Sequence, residues 1–536
     1  MNPLFPKSAA LVTAHLAEIL PSFSFYMYSA PISVLFIGAV VALLVGVFRS
    51  DPDRPNLPAY GIALASCLAA ALVPLVLSFR TPVVFLSSGF VADGLSQFSF
   101  VVIALGTLFT LLAASLTANG RQLLRPELVC LLLLSSSGMM VMTAAGEFMS
   151  FFVGLEIMSV SLYVLVGYQR QNNFGLEAAL KYFIMGATAA GITLMGMALI
   201  YLNTGSLKWA DLAYLSISPS NPFGLLGMLF LVSGLAFKIA LVPFHKWAPD
   251  VYEGANSMLT GYMATLVKLS MIIVFIRILG AGVREPGSWL VQFFWVCGAL
   301  SIIVGSIFGL VNNSIKRMLA YSSVANAGYF ALGFATLASN PQSQIAREAL
   351  IAYAAAYAVL NLGSFAVLSW LEEGNREDLL KEELAGLGNR SPFAAFALTV
   401  FLFGLAGIPP LAGFFGKFLL INAAVSQGLV GLSVILVLFS CISLYYYLSL
   451  MVEMWFKPDT RNSVVIKTQE ETRFMKVLVG FAVALSLVIG VVGPRWAVHV
   501  SDHSLVPPAH AQKLLQPKVP SAVSESNTGT QVGLRP

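Results

Sequence analysis

The chain is short of charge: Asp, Glu, Lys and Arg make up 10% of its 536 residues, against the roughly 25% of an ordinary soluble domain. That shortage excludes a water-soluble enzyme. Histidine is scarce, with five residues. His15, His499, His503 and His510 lie in the end regions, so only His245 remains near the body of the chain, which argues against a bundle holding haem on paired histidines. The four cysteines, Cys67, Cys130, Cys297 and Cys441, sit inside apolar runs and form no Cys-x-x-Cys pair. They offer neither an iron–sulfur nor a zinc ligand set and read as small hydrophobes. No Gly-x-Gly-x-x-Gly or Walker run follows a strand-like segment, so no nucleotide site is visible. The net charge of +5 is scattered singly rather than gathered into a basic stripe, which disfavours a nucleic-acid partner.

What is present is apolar length. Hydrophobic residues make up 58% of the chain and the mean hydropathy is +0.83. Apolar runs recur from Pro31 to Gly493, each approaching the ~20 residues that cross a bilayer. The windows between charged or Pro/Gly breaks give about fourteen spans, beginning near Pro31, Leu57, Gly94, Pro126, Glu147, Gly175, Phe223, Glu253, Ser288, Lys316, Arg347, Pro392, Gly428 and Met475. The expected fold class is all-α, a polytopic membrane helix bundle. Residues 1–30, with Lys7, His15, Glu18 and Pro21, read as an interfacial extension rather than a cleaved signal. Residues 31–125 hold the first three helices, 457–500 a connection and the last helix. Residues 501–536, rich in Pro, Ser, Gln and Thr, read as a disordered tail.

Topology accounts for most of the basic residues. Alternate connections carry sixteen of the 30 Lys and Arg side chains and the opposite connections five, so the richer set marks the cytoplasmic side. The even span count then puts both termini on the periplasmic side, with five more basic residues. Lys316, Arg317 and the acidic run Glu372, Glu373, Glu377, Asp378, Glu382 and Glu383 are expected to be solvated cytoplasmic connections, the acidic run a candidate contact for a partner. Four lysines are left inside spans: Lys181, Lys238, Lys268 and Lys417.

A lysine at the centre of a membrane helix costs about 2.5–3.5 kcal/mol on insertion scales. The acidic counterpart is Glu156, nine positions into its span; Asp93, Glu147, Glu177 and Glu453 lie nearer span ends and are weaker candidates. Desolvation disfavours the charged form of either group, and pairing favours both. A buried lysine beside a glutamate is therefore a proton-loading site that switches when its partner moves. The competing reading is snorkelling, strongest for Lys181, which has Glu177 one turn earlier.

Lys238 precedes Pro243, and Lys417 follows Gly407, Pro409, Pro410, Gly413 and Gly416. Broken helices in two corresponding halves mark transporter sites built from inverted repeats, which makes residues 126–285 (spans four to eight) and 286–456 (spans nine to thirteen) the candidate repeats; a packing kink at each cluster is the alternative. His245, seven residues beyond Lys238, either relays protons toward the next lysine or caps a helix end.

Six runs then carry a resemblance: Leu155–Ser159, Leu176–Phe183, Gly234–Lys238, Val242–Gly254, Ile315–Ser323 and Gly404–Pro410. They are similar to the subunit N family of respiratory complex I, the NADH-quinone oxidoreductase, over roughly Pro31 to Gly493. The resemblance implies a fourteen-helix antiporter-like subunit with two inverted five-helix repeats and broken helices seven and twelve. It implies that Glu156 is a helix-five glutamate paired with Lys238 of helix seven, that Lys268 is the central helix-eight lysine, and that Lys417 lies in helix twelve toward the exit; Lys181 and His245 match a helix-six lysine and a connecting histidine. It further implies a proton-translocating translocase subunit in the bacterial inner membrane. No cofactor is expected on this chain: FMN and iron–sulfur clusters belong to partner subunits. The partners implied are a neighbouring antiporter-like subunit, small membrane subunits, the peripheral arm indirectly, and lipid. Ala255 is followed by Asn256, Ser257 and Met258 where the family usually has Pro-Thr-Pro, so helix eight is expected to start differently. The rival readings are a multisubunit sodium/proton antiporter without redox coupling, disfavoured by having one strong membrane carboxylate, and a scaffold whose lysines bind lipid or neighbouring subunits.

Overall fold

The computed structural model describes residues 23–48, 56–77, 83–85, 89–117, 120–169, 172–215, 221–281, 288–372, 379–458 and 469–504. Its helices in order are α1 (Phe23–Phe48), α2 (Leu57–Leu77), α3 (Gly94–Ser115), α4 (Pro126–Ala144), α5 (Phe148–Val166), α6 (Asn173–Thr204), α7 (Pro222–Lys238) and α8 (Trp247–Gly254). Then come α9 (Ser257–Gly280), α10 (Ser288–Val311), α11 (Ile315–Ser339), α12 (Gln344–Leu371), α13 (Pro392–Ala406), α14 (Ala412–Ser426), α15 (Val430–Phe456) and α16 (Gln469–Asp502). Among the described residues, eleven helices are long and apolar enough to cross a membrane. The polar α11 and the two interrupted pairs, α7 with α8 and α13 with α14, complete the set. A small antiparallel hairpin, β1 (Val83–Phe85) with β2 (Phe90–Ala92), lies between α2 and α3.

Local chemistry sets the helix starts. Pro126, Pro222 and Pro392 open α4, α7 and α13, where the missing N–H is an orphan in any case. Asp93 caps α3 in a reciprocal box with Ser96, and the side chains of Asn172, Ser314 and Ser343 cap α6, α11 and α12. The expected altered start of helix eight is a cap: the Asn256 carboxamide oxygen accepts from the Met258 N–H at 3.0 Å, doing the work of a proline-rich entry. The first helix begins at Phe23 rather than near Pro31. The uncharged apolar run before Pro31 continues the helix, and a spanning helix tolerates the proline where neighbours satisfy the freed backbone. The rest of the expected extension, the tail beyond Ser504, and Glu373, Glu377 and Asp378 lie outside the described residues.

The bundle is sorted by what each helix touches. Every residue in the apolar window of α9 is buried, as is 94% of that of α12, whereas the windows of α1, α2, α6 and α15 are 33% buried. The inner pair is therefore wrapped by protein, and the outer helices present Phe36, Leu72, Phe183 and Leu438 outward, as lipid-facing helices do. Where α4 crosses α5, a Cβ on Gly154 would stand 2.7 Å from the Gly138 carbonyl oxygen. The backbones touch there, in the small-residue packing that membrane helices use in place of a hydrophobic drive.

Two ends can be recognised. At one, the Gly94 N–H donates to the His503 carbonyl at 2.9 Å, and Arg277 makes a bidentate pair with Asp93 (2.6 and 3.1 Å) while its Nε donates to the Thr143 carbonyl. At the other lie the start of α6, α8, the start of α11 and the end of α12. Lys316 and Glu372, expected as solvated connections, are buried instead, each at 1% exposure, and Arg277, one of the five basic residues counted on the opposite connections, is buried at 7%. Each sits at a helix end drawn inside the bundle, where an opposite charge or a helix carbonyl replaces water. Arg317 and Glu382 remain accessible, as expected.

Candidate functional site

Helix seven ends at Lys238 and does not resume until Trp247. Within the break Ala240 takes φ 58°, and the Trp247 indole N–H donates to the Phe237 carbonyl at 2.9 Å, tying α8 to the open end of α7. Lys238, 3% exposed, donates to Ser159 Oγ at 2.8 Å and to the Tyr163 hydroxyl at 3.2 Å. Its Nζ also lies 5.4 Å from the Tyr163 ring centroid and 5.9 Å from that of Tyr182, a cation–π cradle.

Glu156 lies on the same face of α5, one turn before Ser159 and two before Tyr163, since side chains three, four and seven apart share a face. It is not in ion-pair contact with Lys238, the pairing that the resemblance implied. Its Oε1 is buried without a hydrogen-bond partner, and Lys238 donates instead to the two hydroxyls that follow on the same face. The carboxylate therefore stands a short displacement from the ammonium rather than on it.

Lys268 lies at the centre, 2% exposed, directly after a π-helical turn at Met263–Val267. Such bulges recur at functional sites because they re-aim side chains and free carbonyls. Its Nζ donates to the Ser323 carbonyl and Oγ, both at 2.6 Å, and lies 5.4 Å from the Tyr357 ring centroid; the Tyr357 hydroxyl donates to the same Ser323 Oγ at 3.0 Å. Among the described residues no carboxylate lies within ion-pair distance of Lys268.

Lys417 is 6% exposed. It donates to the carbonyls of Leu405 and Ala406, both at 2.9 Å. These are orphan acceptors at the end of α13, where the helix dipole favours a cation. Gly407 follows at φ +90°, a backbone conformation open to glycine. The Nζ also sits 4.6 Å from the Tyr329 ring centroid.

Sequence reasoning missed the element that joins Lys268 to Lys417. Helix α11 places Ser322, Ser323, Asn326 and Tyr329 along one stripe. Asn326 donates to the Ser322 carbonyl at 2.8 Å and accepts from the Tyr353 hydroxyl, Ser322 bonds Tyr447, and Tyr329 lies under Lys417. The signal was in the sequence: polar residues at positions 322, 323, 326 and 329 recur at helical spacing in a span of lower hydropathy than its neighbours.

Two expected residues stand apart. Lys181 is 41% exposed and pairs with Glu177 at 2.9 Å and Asp250 at 2.8 Å, part of an outer cluster in which Arg317 binds Asp250 and Glu253. His245 is half-buried in the helix-seven break. Its Nδ1 has no hydrogen-bond partner, and the hydrogen bonds of Lys238 and Lys268 go to other residues. Among the described residues, no three His, Cys, Asp or Glu side chains gather where they could hold a metal ion.

Comparison with known proteins places this arrangement. The family model described as NADH:quinone oxidoreductase/Mrp antiporter, TM, matches residues 145–443, a stretch containing all of the lysines above. NADH-quinone oxidoreductase subunit N of Trichlorobacter lovleyi is 36% identical over 466 residues, covering 86% of this chain and 92% of that protein; that of Rhodospirillum rubrum is 35% identical over 460 residues, covering 85% and 92%. A chain of respiratory complex I from Thermus thermophilus superposes with a TM-score of 0.74 at 31% identity, covering 88% of this chain and all of that one. Identity of this extent, over a fold with two interrupted helices and buried lysines, is that of a single family: the chain belongs to the NADH-quinone oxidoreductase subunit N family of antiporter-like membrane proteins.

Proposed function

We propose that this chain is the proton-translocating membrane subunit of an NADH-quinone oxidoreductase. In this reading partner subunits carry FMN and iron–sulfur clusters, oxidise NADH and reduce quinone, and this chain, without a redox centre, moves protons across the bacterial inner membrane. One observation carries the reading. Lys238, Lys268 and Lys417, from three different spans, are all desolvated, and two of them stand at helix breaks where the carbonyls are open.

The relay works by displacement. Glu156, approaching Lys238, holds the ammonium charged; when Glu156 withdraws, the proton passes from Lys238 toward the Lys268 amine, and from there along the Ser323–Asn326–Tyr329 stripe to Lys417. The hydroxyls of Ser323 and Tyr329 can accept one proton while giving another, and the Asn326 carboxamide orders the stripe through its hydrogen bonds to Ser322 and Tyr353. Each charge moved against 100 mV stores about 2.3 kcal/mol. That is comparable with a close charge pair in a protein of effective dielectric constant ~20, about 4 kcal/mol at 4 Å. Displacing one carboxylate is therefore enough to drive the transfer. His245 and Lys181 would act outside this line, His245 at the flexible break and Lys181 on the outer cluster.

The order of the broken helices supports the two inverted repeats, residues 126–285 and 286–456. Counting spans from α1, α7 enters from the end bearing Asp93 and stops at Lys238, whereas α13 enters from the opposite end and stops before Lys417. The termini would then lie on the periplasmic side. The antiporter alternative shares the family model, and an Mrp complex chain shares the fold at 22% identity, but the relatives above at 35 and 36% identity are named NADH-quinone oxidoreductase subunit N. Lys238→Ala in the assembled complex tests the role: proton pumping and coupled turnover should fall together, and an unchanged proton-to-electron ratio at full activity would remove Lys238 from the path.

A further inference from the structure

Lys316 and Glu372 are buried, each 1% exposed, at the end of the bundle opposite Asp93 and Arg277. Their separation, 4.0 Å between Nζ and Oε1, is longer than a hydrogen bond. Each is held instead by the junction between α8 and α9: Lys316 donates to the Ala255 carbonyl at 2.9 Å, and the Ser257 hydroxyl donates to Glu372. A buried ion pair is a poor way to fasten helices, because desolvating the two charges costs several kcal/mol and apolar packing does the same work as well or better. Position is the second observation. Lys316 lies seven residues before Ser323, two turns along the same face of α11 and about 10 Å along its axis; Ser323 is the residue that receives the Lys268 ammonium. The helix whose start the pair grips is the one that carries Lys268.

We propose that Lys316 and Glu372 form a proton-loading pair at a second mouth of the relay, feeding Lys268 from the aqueous phase beside the α8–α9 junction in addition to the input from Lys238. The inference rests on the proton-moving function proposed above. Lys316, as the ammonium, gives a proton inward through water along α11: an N–H bond breaks at Lys316 and one forms on the Lys268 amine. The Glu372 carboxylate then takes a proton from hydronium, forming a carboxyl O–H that breaks as the proton passes to the neutral Lys316 amine. The pair returns to its starting charges, with one proton moved inward. The 4.0 Å gap keeps the two groups close enough for this exchange without locking them into one hydrogen bond.

The test uses the complete complex in proteoliposomes, with Glu372→Gln and the double variant Lys316→Met with Glu372→Gln. NADH oxidation by a soluble acceptor and the amount of complex in the membrane report assembly; quinone-dependent turnover and lumen acidification report the relay. The proposal expects the double variant, which leaves no unpaired charge, to assemble at the parental level yet lose acidification and coupled turnover, as Glu372→Gln does. A double variant that pumps at the parental proton-to-electron ratio would show the pair to be a fastening only and overturn the proposal. Lys268→Ala, run alongside, separates the two claims: if it stops pumping while the double variant pumps normally, only the mouth is misplaced; if it too pumps normally, the relay itself is wrong.

Discussion

Lysine has a property at these buried positions that arginine lacks: it can give its proton away and remain in place. Lys268 places two N–H donors on Ser323 and its charge near the Tyr357 ring rather than beside a carboxylate, an arrangement that still accommodates the neutral amine. Lys268→Arg should therefore assemble and keep its hydrogen bonds but stall, because guanidinium does not deprotonate in proteins. Quinone-linked turnover near the parental rate in that variant would mean that position 268 needs only a positive charge. Ser323→Ala removes one of the two acceptors of Lys268 and the partner of Tyr357 but leaves the backbone carbonyl. It should slow turnover by roughly tenfold, matching about 1.4 kcal/mol from one lost hydrogen bond, with the complex assembled; a steady-state rate in membranes decides it.

The interrupted helices are held open by close backbone approaches as well as by their prolines. A Cβ on Gly413 would stand 1.9 Å from the Gly404 carbonyl oxygen, so α14 can turn back against α13 only with glycine there. Gly413→Ala should force the two segments apart, pull Leu405 and Ala406 from Lys417, and lower stability by about 1–3 kcal/mol, the usual range for overpacking. The melting temperature of the purified complex measures this, and an unchanged value would show that the break relaxes freely. The breaks were legible in the sequence because Pro243 and the Gly407–Gly416 cluster punctuate otherwise apolar spans. Helix α11 was legible only as a span. Its polar stripe gains meaning from Tyr353, Tyr357 and Tyr447 on other helices, and long-range partners leave no local pattern.

At the scale of the whole molecule, hydropathy was enough to give eleven of the spans, because lipid-facing surfaces must be apolar all along their length; the polar α11 and the two interrupted spans were read from charge and Pro/Gly breaks. It did not separate charges at helix ends that meet water from those drawn inside. Arg277, Lys316 and Glu372 looked like connection charges, and burial became visible only once Asp93, Ala255 and Ser257 were brought to them by other segments. Glu156 and Lys238 likewise read as a contact pair, whereas the fold sets Ser159 and Tyr163 at the ammonium. An offset carboxylate suits a switch better than a closed ion pair, since a side-chain rotation of Glu156 changes the field at Lys238 while Ser159 and Tyr163 keep their hydrogen bonds to it. The central claim is that Lys238, Lys268 and Lys417 together carry the chain's protons. The direct measurement is the number of protons pumped per NADH by the reconstituted complex with all three replaced by Met, at matched assembly. The account predicts a lower ratio or a complex that no longer turns over quinone in coupled membranes; a parental ratio at parental speed would contradict it.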